Sequence, residues 1–264
     1  MKKNFPSELI YHVFSLLIAF IIVHSVYITV IRPQARAFIE QETANLQSDS
    51  QYVQQRSFFV VIKDYEQETC FVLMLWAFAI LGYKGRETYA QQKLLGEDLL
   101  ELPDGLPVGP EDTRQIAGHI SSLPGHEKDW LLPRALLTAI ERFGATRNVQ
   151  DVSTAARDVC ESEGERMESE LSIIRYIAWA IPSVGFIGTV RGIGDALGQA
   201  HRAVEGDITG VTASLGVAFN STFIALVISI VLMFFVHQLQ LMQERLVLDS
   251  ERYVDSWLIR RLKS

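Results

Sequence analysis

Two threonines, Thr189 and Thr222, are the side chains in this sequence whose type and spacing suit the passage of an ion. Each is second in a series of small residues at i, i+4, i+7 and i+11, the spacing of one helix face. The series are Gly185, Thr189, Gly192, Ala196 and Ala218, Thr222, Ala225, Ser229. A hydroxyl donates and accepts hydrogen bonds, so the two stripes predict a path lined by Thr189, Thr222 and Ser229. The alternative is close helix packing without a lumen.

The first stripe lies in an apolar stretch that contains Pro182 and many glycines. Each glycine costs a soluble helix about 1 kcal/mol relative to alanine. In a bilayer, small residues instead let helix backbones approach closely. We therefore expect Gly185, Gly188 and Gly192 to lie at helix contacts, with Pro182 as a candidate hinge.

A threonine cannot carry a proton by ionising, and a titrating carboxylate is expected on a proton path through a membrane. The two apolar stretches that carry the stripes, residues 173–197 and 211–236, hold no acidic residue at mid-membrane depth. With about 1.5 Å of rise per residue, Thr189 and Thr222 lie at similar depth and are able to meet. Arg191 and Asp195, spaced i, i+4, form either a local ion pair or a gate at the pore mouth.

The residues around these threonines resemble a known family. Residues 181–194, IPSVGFIGTVRGIG, are similar to the signature of the MotA/TolQ/ExbB proton-channel family, and residues 216–230, GVAFNSTFIALVISI, are similar to its next span. The resemblance covers roughly residues 150–245. Family members often carry a proline late in that last span, where this chain has LVISIV, so any hinge assigned to that proline is in doubt here.

The resemblance implies a division of labour between subunits. Five copies of the chain would surround two copies of a single-span partner of the MotB/TolR/ExbD kind, which brings a membrane aspartate. Proton flow past that aspartate would turn one ring against the other, as in the stator of an ion-driven motor. The resemblance leaves both proton and sodium open. The rival function is a non-conducting oligomeric scaffold for a signalling or secretion complex.

The elements that carry these residues are transmembrane helices. The 264 residues are 48% apolar with a formal charge of −7, and the apolar residues are concentrated in blocks long enough to cross a bilayer. The predicted spans are Leu9–Ile31, Thr69–Tyr83, Ile173–Leu197 and Val211–Val236. The second is short, and Glu66 and Glu68 extend its helix. The fold class is an all-α membrane protein with four transmembrane helices and a helical cytoplasmic extension.

We expect four segments: 1–84 with two spans and a polar outer loop, the cytoplasmic helical region 85–172, the pore-lining hairpin 173–240, and the C-terminal helix 241–264. The cytoplasmic region contains the helix breaker PDGLPVGPED and is too small to bury much core by itself. Its last helix, capped by Asn148, should run from Val149 into the third span without interruption.

Most Lys and Arg residues lie in 85–172 and in the tail, so both termini are expected in the cytoplasm. This predicts a multi-pass protein of the bacterial inner membrane, in contact with lipid, in the arrangement of the MotA branch of the family. His12 and His24, inside the first span, are either interfacial residues or proton carriers. The acidic run Glu161, Glu163, Glu165, Glu168, Glu170 is either a solvated helix face or a docking or cation-attracting surface.

Other functional classes find no support in the sequence. It contains no nucleotide-binding loop, metal-protease motif or nucleophile elbow, which argues against an enzyme. Cys70 and Cys160 have no metal-ligand spacing and no expected disulfide. We expect no cofactor, metal or nucleic-acid partner.

Overall fold

A computed structural model describes residues 5–48, 55, 57–100, 108–109 and 111–262. Ordered structure in these residues is helical, apart from one bridge between Val108 and Leu262. The α-helices are α1 Phe5–Val26, α2 Arg32–Ser48, α3 Phe58–Val61, α4 Tyr65–Leu94, α5 Thr113–Ser121, α6 Leu131–Thr146, α7 Val149–Glu170, α8 Ser172–Gly198, α9 Ala200–Val204 and α10 Thr209–Tyr253. Most of the predicted breaker at 103–112 lies outside the described residues.

Within the described residues, four helical stretches are long and apolar enough to cross a membrane, as the sequence predicts: Leu9–Asn45, Tyr65–Leu94, Val149–Gly198 and Thr209–Arg261. The chain is therefore an all-α membrane protein. The second span, which is short in the sequence, lies in the longer helix α4. This helix has 30 residues, begins at Tyr65 and includes Glu66 and Glu68 in its first turn. One turn residue, Leu171, separates α7 from α8, where the sequence predicts an uninterrupted helix.

The contacts divide the chain into two compact units. Residues 1–81 and 173–236 form the first unit, which contains α1–α3, α8, α9 and the first parts of α4 and α10. Its interior is built from aliphatic and small side chains such as Ala77, Ile80 and Ile177. Many large apolar side chains on α1, α8 and α10 are exposed, as expected for a surface that faces lipid or other membrane helices.

A π-helical turn, Tyr27–Ile31, joins α1 to α2. Such turns are rare and are found frequently at functional sites. Tyr27 is 1% exposed, and its hydroxyl has no hydrogen-bond partner among the residues that the structure describes. At the other connection of this unit, the Asp207 carboxylate accepts a hydrogen bond from the Thr209 N–H at the start of α10. The hydrogen bonds from Thr209 lower the pKa of the Asp207 carboxyl.

Residues 82–172 and 237–264 form the second unit. Its core combines buried residues of α5, α6 and α7 with Leu246, Tyr253, Val254 and Leu258 of the C-terminal segment. Region 85–172, expected to bury little core alone, is therefore completed by the end of the chain. The Tyr253 hydroxyl donates to the Glu97 carbonyl and accepts from the Leu99 N–H.

The acidic run on α7 is only partly a solvated face. Glu161, Glu165 and Glu168 are exposed, whereas Glu163 is 3% exposed. The Glu163 carboxylate accepts from Arg134 at 2.9 Å and also pairs with Arg166. This member of the run is thus a buried ion-pair partner in the second unit, because α6 brings Arg134 against α7.

Candidate ion pathway on α8 and α10

The two small-residue stripes face each other within one chain. On α8, Gly185, Gly188, Gly192 and Ala196 are all buried. A Cβ added to Gly192 would lie 2.7 Å from the Ala218 nitrogen and 2.8 Å from the Ser214 carbonyl oxygen. Real Cβ atoms do not approach backbone this closely, so glycine at position 192 lets α8 contact the backbone of α10. The predicted packing role of the glycines is consistent with this contact.

The hydroxyls of Thr189 and Thr222 meet across this contact and hydrogen-bond to each other. Thr189 Oγ1 also lies 3.0 Å from the Ala218 carbonyl oxygen, and Thr222 Oγ1 lies 3.2 Å from the Gly185 carbonyl oxygen. The expectation that the two threonines meet is confirmed. Both side chains are half-buried, so the pair lies at the edge of the α8–α10 contact rather than inside it.

This arrangement offers hydrogen bonds but no ionisable group. Each hydroxyl has one proton and two lone pairs, and the two neighbouring carbonyl oxygens supply further acceptors. Two protons are therefore shared among several acceptors, and lone pairs remain for a water or an ion's hydration shell at the exposed edge. The pair can orient water and replace part of a hydration shell, while a titrating group has to come from another side chain.

Ser229, the third predicted pathway residue, has a specific contact with α8. Its hydroxyl donates to the Ala178 carbonyl oxygen at 2.9 Å. In a regular helix that carbonyl accepts from the N–H four residues later, but position 182 is proline, which has no N–H. Ser229 thus satisfies the acceptor that Pro182 leaves free, which links the predicted hinge residue to α10.

We expect Ser229→Ala to lower the stability of the folded subunit by about 1 kcal/mol, since a buried acceptor loses its partner. The measurement is thermal unfolding of the purified protein in detergent. In a Pro182→Ala background the restored N–H can donate to Ala178, so the same serine substitution should then have little effect. An equal loss in both backgrounds would contradict this account of Ser229.

Arg191 pairs with a residue that its local spacing does not indicate. Its Nε and Nη2 atoms donate to the two carboxylate oxygens of Glu66, both at 2.7 Å. The sequence suggested Asp195 as the local partner of Arg191, whereas the ion pair that the structure shows is with Glu66. Glu66 lies 125 residues away in sequence, and only the packing of α4 against α8 brings it there. The Asp195 backbone carbonyl accepts from Gln199, and a gate formed by Arg191 and Asp195 stays a prediction.

A second ion cluster, missed by sequence reasoning, surrounds Glu68. Its carboxylate, 8% exposed, contacts His24 Nδ1 at 2.6 Å and Arg32 Nη2 at 2.5 Å. The His24 ring stacks on Phe20. The sequence left His24 as an interfacial residue or a proton carrier, and the structure places it beside a buried carboxylate. These partners lie 36 and 44 residues away from Glu68, which no periodicity could reveal.

The described residues contain no group of three or more His, Cys, Asp or Glu side chains that could hold a metal ion. Cys70 and Cys160 are free and buried.

One family model matches the chain: the MotA/TolQ/ExbB proton channel family, over residues 128–252. The match includes all of α8 and the threonine pair, and extends beyond the range of the resemblance seen in the sequence. No curated protein and no solved structure matches the chain. The resemblance seen in the sequence is thus confirmed: residues 128–252 match the MotA/TolQ/ExbB proton channel family.

Proposed function

We propose that the chain is a proton-conducting, stator-type subunit that couples ion flow across the inner membrane to mechanical work. The observation that carries this proposal is the hydrogen-bonded pair of Thr189 and Thr222 on facing small-residue stripes, inside the region that matches the family. A pair of half-buried hydroxyls next to backbone carbonyl oxygens suits partial replacement of a hydration shell.

The proton-carrying group of this proposal comes from a partner. Near the threonine pair α8 and α10 offer hydroxyls and carbonyls, whereas Glu66 and Glu68 lie in the first turn of α4 and are engaged in ion pairs. A single-span protein of the MotB/TolR/ExbD kind, present as a dimer, would supply a membrane aspartate. Five copies of this chain would surround it, with the exposed apolar side chains of α8 and α10 facing neighbouring subunits or lipid.

A scaffold without conduction is the second candidate. The hydrogen bonds of Thr189 to Ala218 and of Thr222 to Gly185 also fit threonines that only join two helices. A scaffold and a channel share the glycine packing. They differ in whether the hydroxyls are needed once the subunits have assembled.

The proposed orientation has both termini in the cytoplasm of a bacterial cell. It is supported by Lys84 and Arg86 after the second span and by Arg260 and Arg261 in the tail, since cationic residues favour the cytoplasmic side. Reporter fusions after Leu102 and after Arg261 measure this orientation, and an external signal at either site would contradict it.

The function is tested by reconstituting the chain in liposomes with a co-purified single-span protein that has a membrane aspartate. We expect proton flux driven by a membrane potential, which an Asp→Asn change in that partner abolishes. Native mass measurement should give five copies of this chain with two of the partner. An assembled complex that shows no ion flux, or flux that ignores the partner aspartate, would favour the scaffold.

A further inference from the structure

The first turn of α4 contains three consecutive polar residues, Glu66, Gln67 and Glu68, which we call the α4 hub. Their partners lie on four other helices: Glu66 binds Arg191 of α8, Gln67 binds Ser221 of α10, and Glu68 binds His24 of α1 and Arg32 of α2. Consecutive helix residues point about 100° apart, so one turn is able to contact helices on several sides.

Gln67 is held in a single orientation by its own helix start. Its side chain is buried, and Oε1 accepts from the Asp64 N–H at 2.9 Å. This is the reciprocal half of a capping box, in which the third helical residue binds back to the residue before the helix. Nε2 then donates to the Val61 carbonyl at 3.0 Å and to Ser221 Oγ at 3.4 Å.

Glu66 is held as firmly on the side of α8. Its two hydrogen bonds with Arg191 form a fork, the geometry of the strongest protein ion pairs. The side-chain stem of Glu66 passes over Gly188: a Cβ at position 188 would lie 3.1 Å from Glu66 Cγ and 2.5 Å from Ser221 Cβ. The α4, α8 and α10 helices therefore meet at Gly188.

The hub contacts lie next to both threonines. Gly188 directly precedes Thr189, and Ser221 directly precedes Thr222. Glu66 is bound to α8 through its ion pair with Arg191, which lies two residues after Thr189. Gln67 binds Ser221 on α10. Backbone shifts at these points would move the two hydroxyls relative to each other.

We propose that Glu66 and Gln67 are positioning residues for the Thr189–Thr222 pair: α4 sets the separation of the two hydroxyls. The consequence for ion flow rests on the proposed function, whereas the positioning itself is a statement about geometry. Neither residue carries the ion. The α4 helix lies outside the two stripes. In this proposal it nevertheless influences how an ion is desolvated between α8 and α10, because it fixes the separation of the hydroxyls.

The test measures the separation directly by disulfide cross-linking. In a background with Cys70→Ala and Cys160→Ala, Thr189→Cys and Thr222→Cys are combined, and the bond is formed in membranes with copper phenanthroline. Disulfides require Cβ atoms about 3.5–4.5 Å apart, so the yield reports the separation. Glu66→Gln should lower the yield per folded protein at least about threefold, a typical effect for coupled neighbours. Glu205→Gln, which removes an exposed carboxylate of the same unit, should leave it unchanged.

Three further variants guard against a simple folding defect. Arg191→Lys keeps the charge but loses the fork and should lower the yield less than Glu66→Gln. Gln67→Leu removes the contact to Ser221 and should also lower it. The exchange of Glu66→Arg with Arg191→Glu should restore part of the yield. Wild-type yields in folded Glu66→Gln and Gln67→Leu protein would overturn the proposal.

Flux in liposomes separates this inference from the proposed function. In protein that retains Thr189 and Thr222 and conducts ions, Glu66→Gln should reduce the rate of ion flux per assembled complex. It should also alter the ratio of proton flux to sodium flux, which a role in folding alone would not change. If the wild-type complex passes no ions but Glu66→Gln still lowers cross-linking, the ion pathway fails and the positioning stands. If flux depends on the threonines but cross-linking ignores Glu66 and Gln67, the positioning is wrong.

Discussion

Replacing both Thr189 and Thr222 by valine is expected to stop ion flow while the complex still assembles. Valine keeps the shape of threonine, but it removes the two hydroxyls that hydrogen-bond to each other. The Ala218 and Gly185 carbonyls that lose a partner lie inside helices, where they can keep their backbone hydrogen bonds. Packing of α8 against α10 should therefore survive.

The expected loss is large because, in the proposed pathway, both hydroxyls act on the same ion. Each lost hydrogen-bond partner at a desolvated position costs about 1–3 kcal/mol, and 1.36 kcal/mol in a barrier is tenfold in rate. Flux per assembled complex should fall by at least about tenfold, measured in liposomes that contain the partner.

The matched control is the double change Thr189→Ser with Thr222→Ser, which keeps the hydroxyls and removes two methyl groups. It should retain most of the flux, although packing is slightly poorer. Wild-type flux in the valine double variant, with flux lost when the partner aspartate is removed, would make these threonines packing residues. That result would also favour the scaffold interpretation of the stripes.

Features that repeat along a single helix were predictable from the sequence. The four spans follow from the length of the apolar blocks, and the facing stripes follow from helical spacing. The meeting of Thr189 with Thr222 needed only a short connection between two antiparallel spans and a count of residues. These inferences need only the regular geometry of a single helix, which the spacing of residues in the sequence reveals directly.

Contacts that depend on how distant helices pack were not predictable. Local spacing gave Arg191 a neighbour at position 195, whereas the structure pairs it with Glu66 from a different span. Ser229 was assigned to the pathway, yet its hydrogen bond to Ala178 exists because Pro182 leaves that carbonyl free. The Glu68 cluster likewise joins residues from three helices. Each contact depends on how one helix is rotated about its own axis relative to another. A single sequence without homologues does not reveal this rotation.

The second unit shows the same limit for hydrophobic packing. The apolar spacing of α6 indicated a helix with one buried face, and Leu136 and Ile140 are indeed buried. The residues that cover this core come partly from the far end of the chain, including Leu246 and Leu258. The sequence of region 85–172 taken alone therefore predicts a smaller hydrophobic core than the structure shows.

Gly188→Leu is expected to destabilise the folded subunit strongly, because the added side chain meets both α10 and α4. The sequence placed Gly188 at a helix contact, and the structure shows that α10 of the same chain is the neighbour. A Cβ at this position would lie 2.5 Å from Ser221 Cβ and 2.7 Å from Ser221 Oγ, with Glu66 Cγ at 3.1 Å. The leucine side chain would thus force α8 away from both α10 and the first turn of α4.

The matched control for this substitution is Gly194→Leu on the same helix. A Cβ at Gly194 meets nothing within 4 Å, so both variants gain the same helix propensity and the same apolar bulk, and only one of them creates a clash. Overpacking costs about 1–3 kcal/mol even in soluble cores. Thermal unfolding in detergent and native mass measurement should show a destabilised subunit and weakened assembly for Gly188→Leu, and near-wild-type behaviour for Gly194→Leu. Equal behaviour of the two variants would mean that α8 and α10 are not in close contact at Gly188, and the threonine pair would lose its structural support.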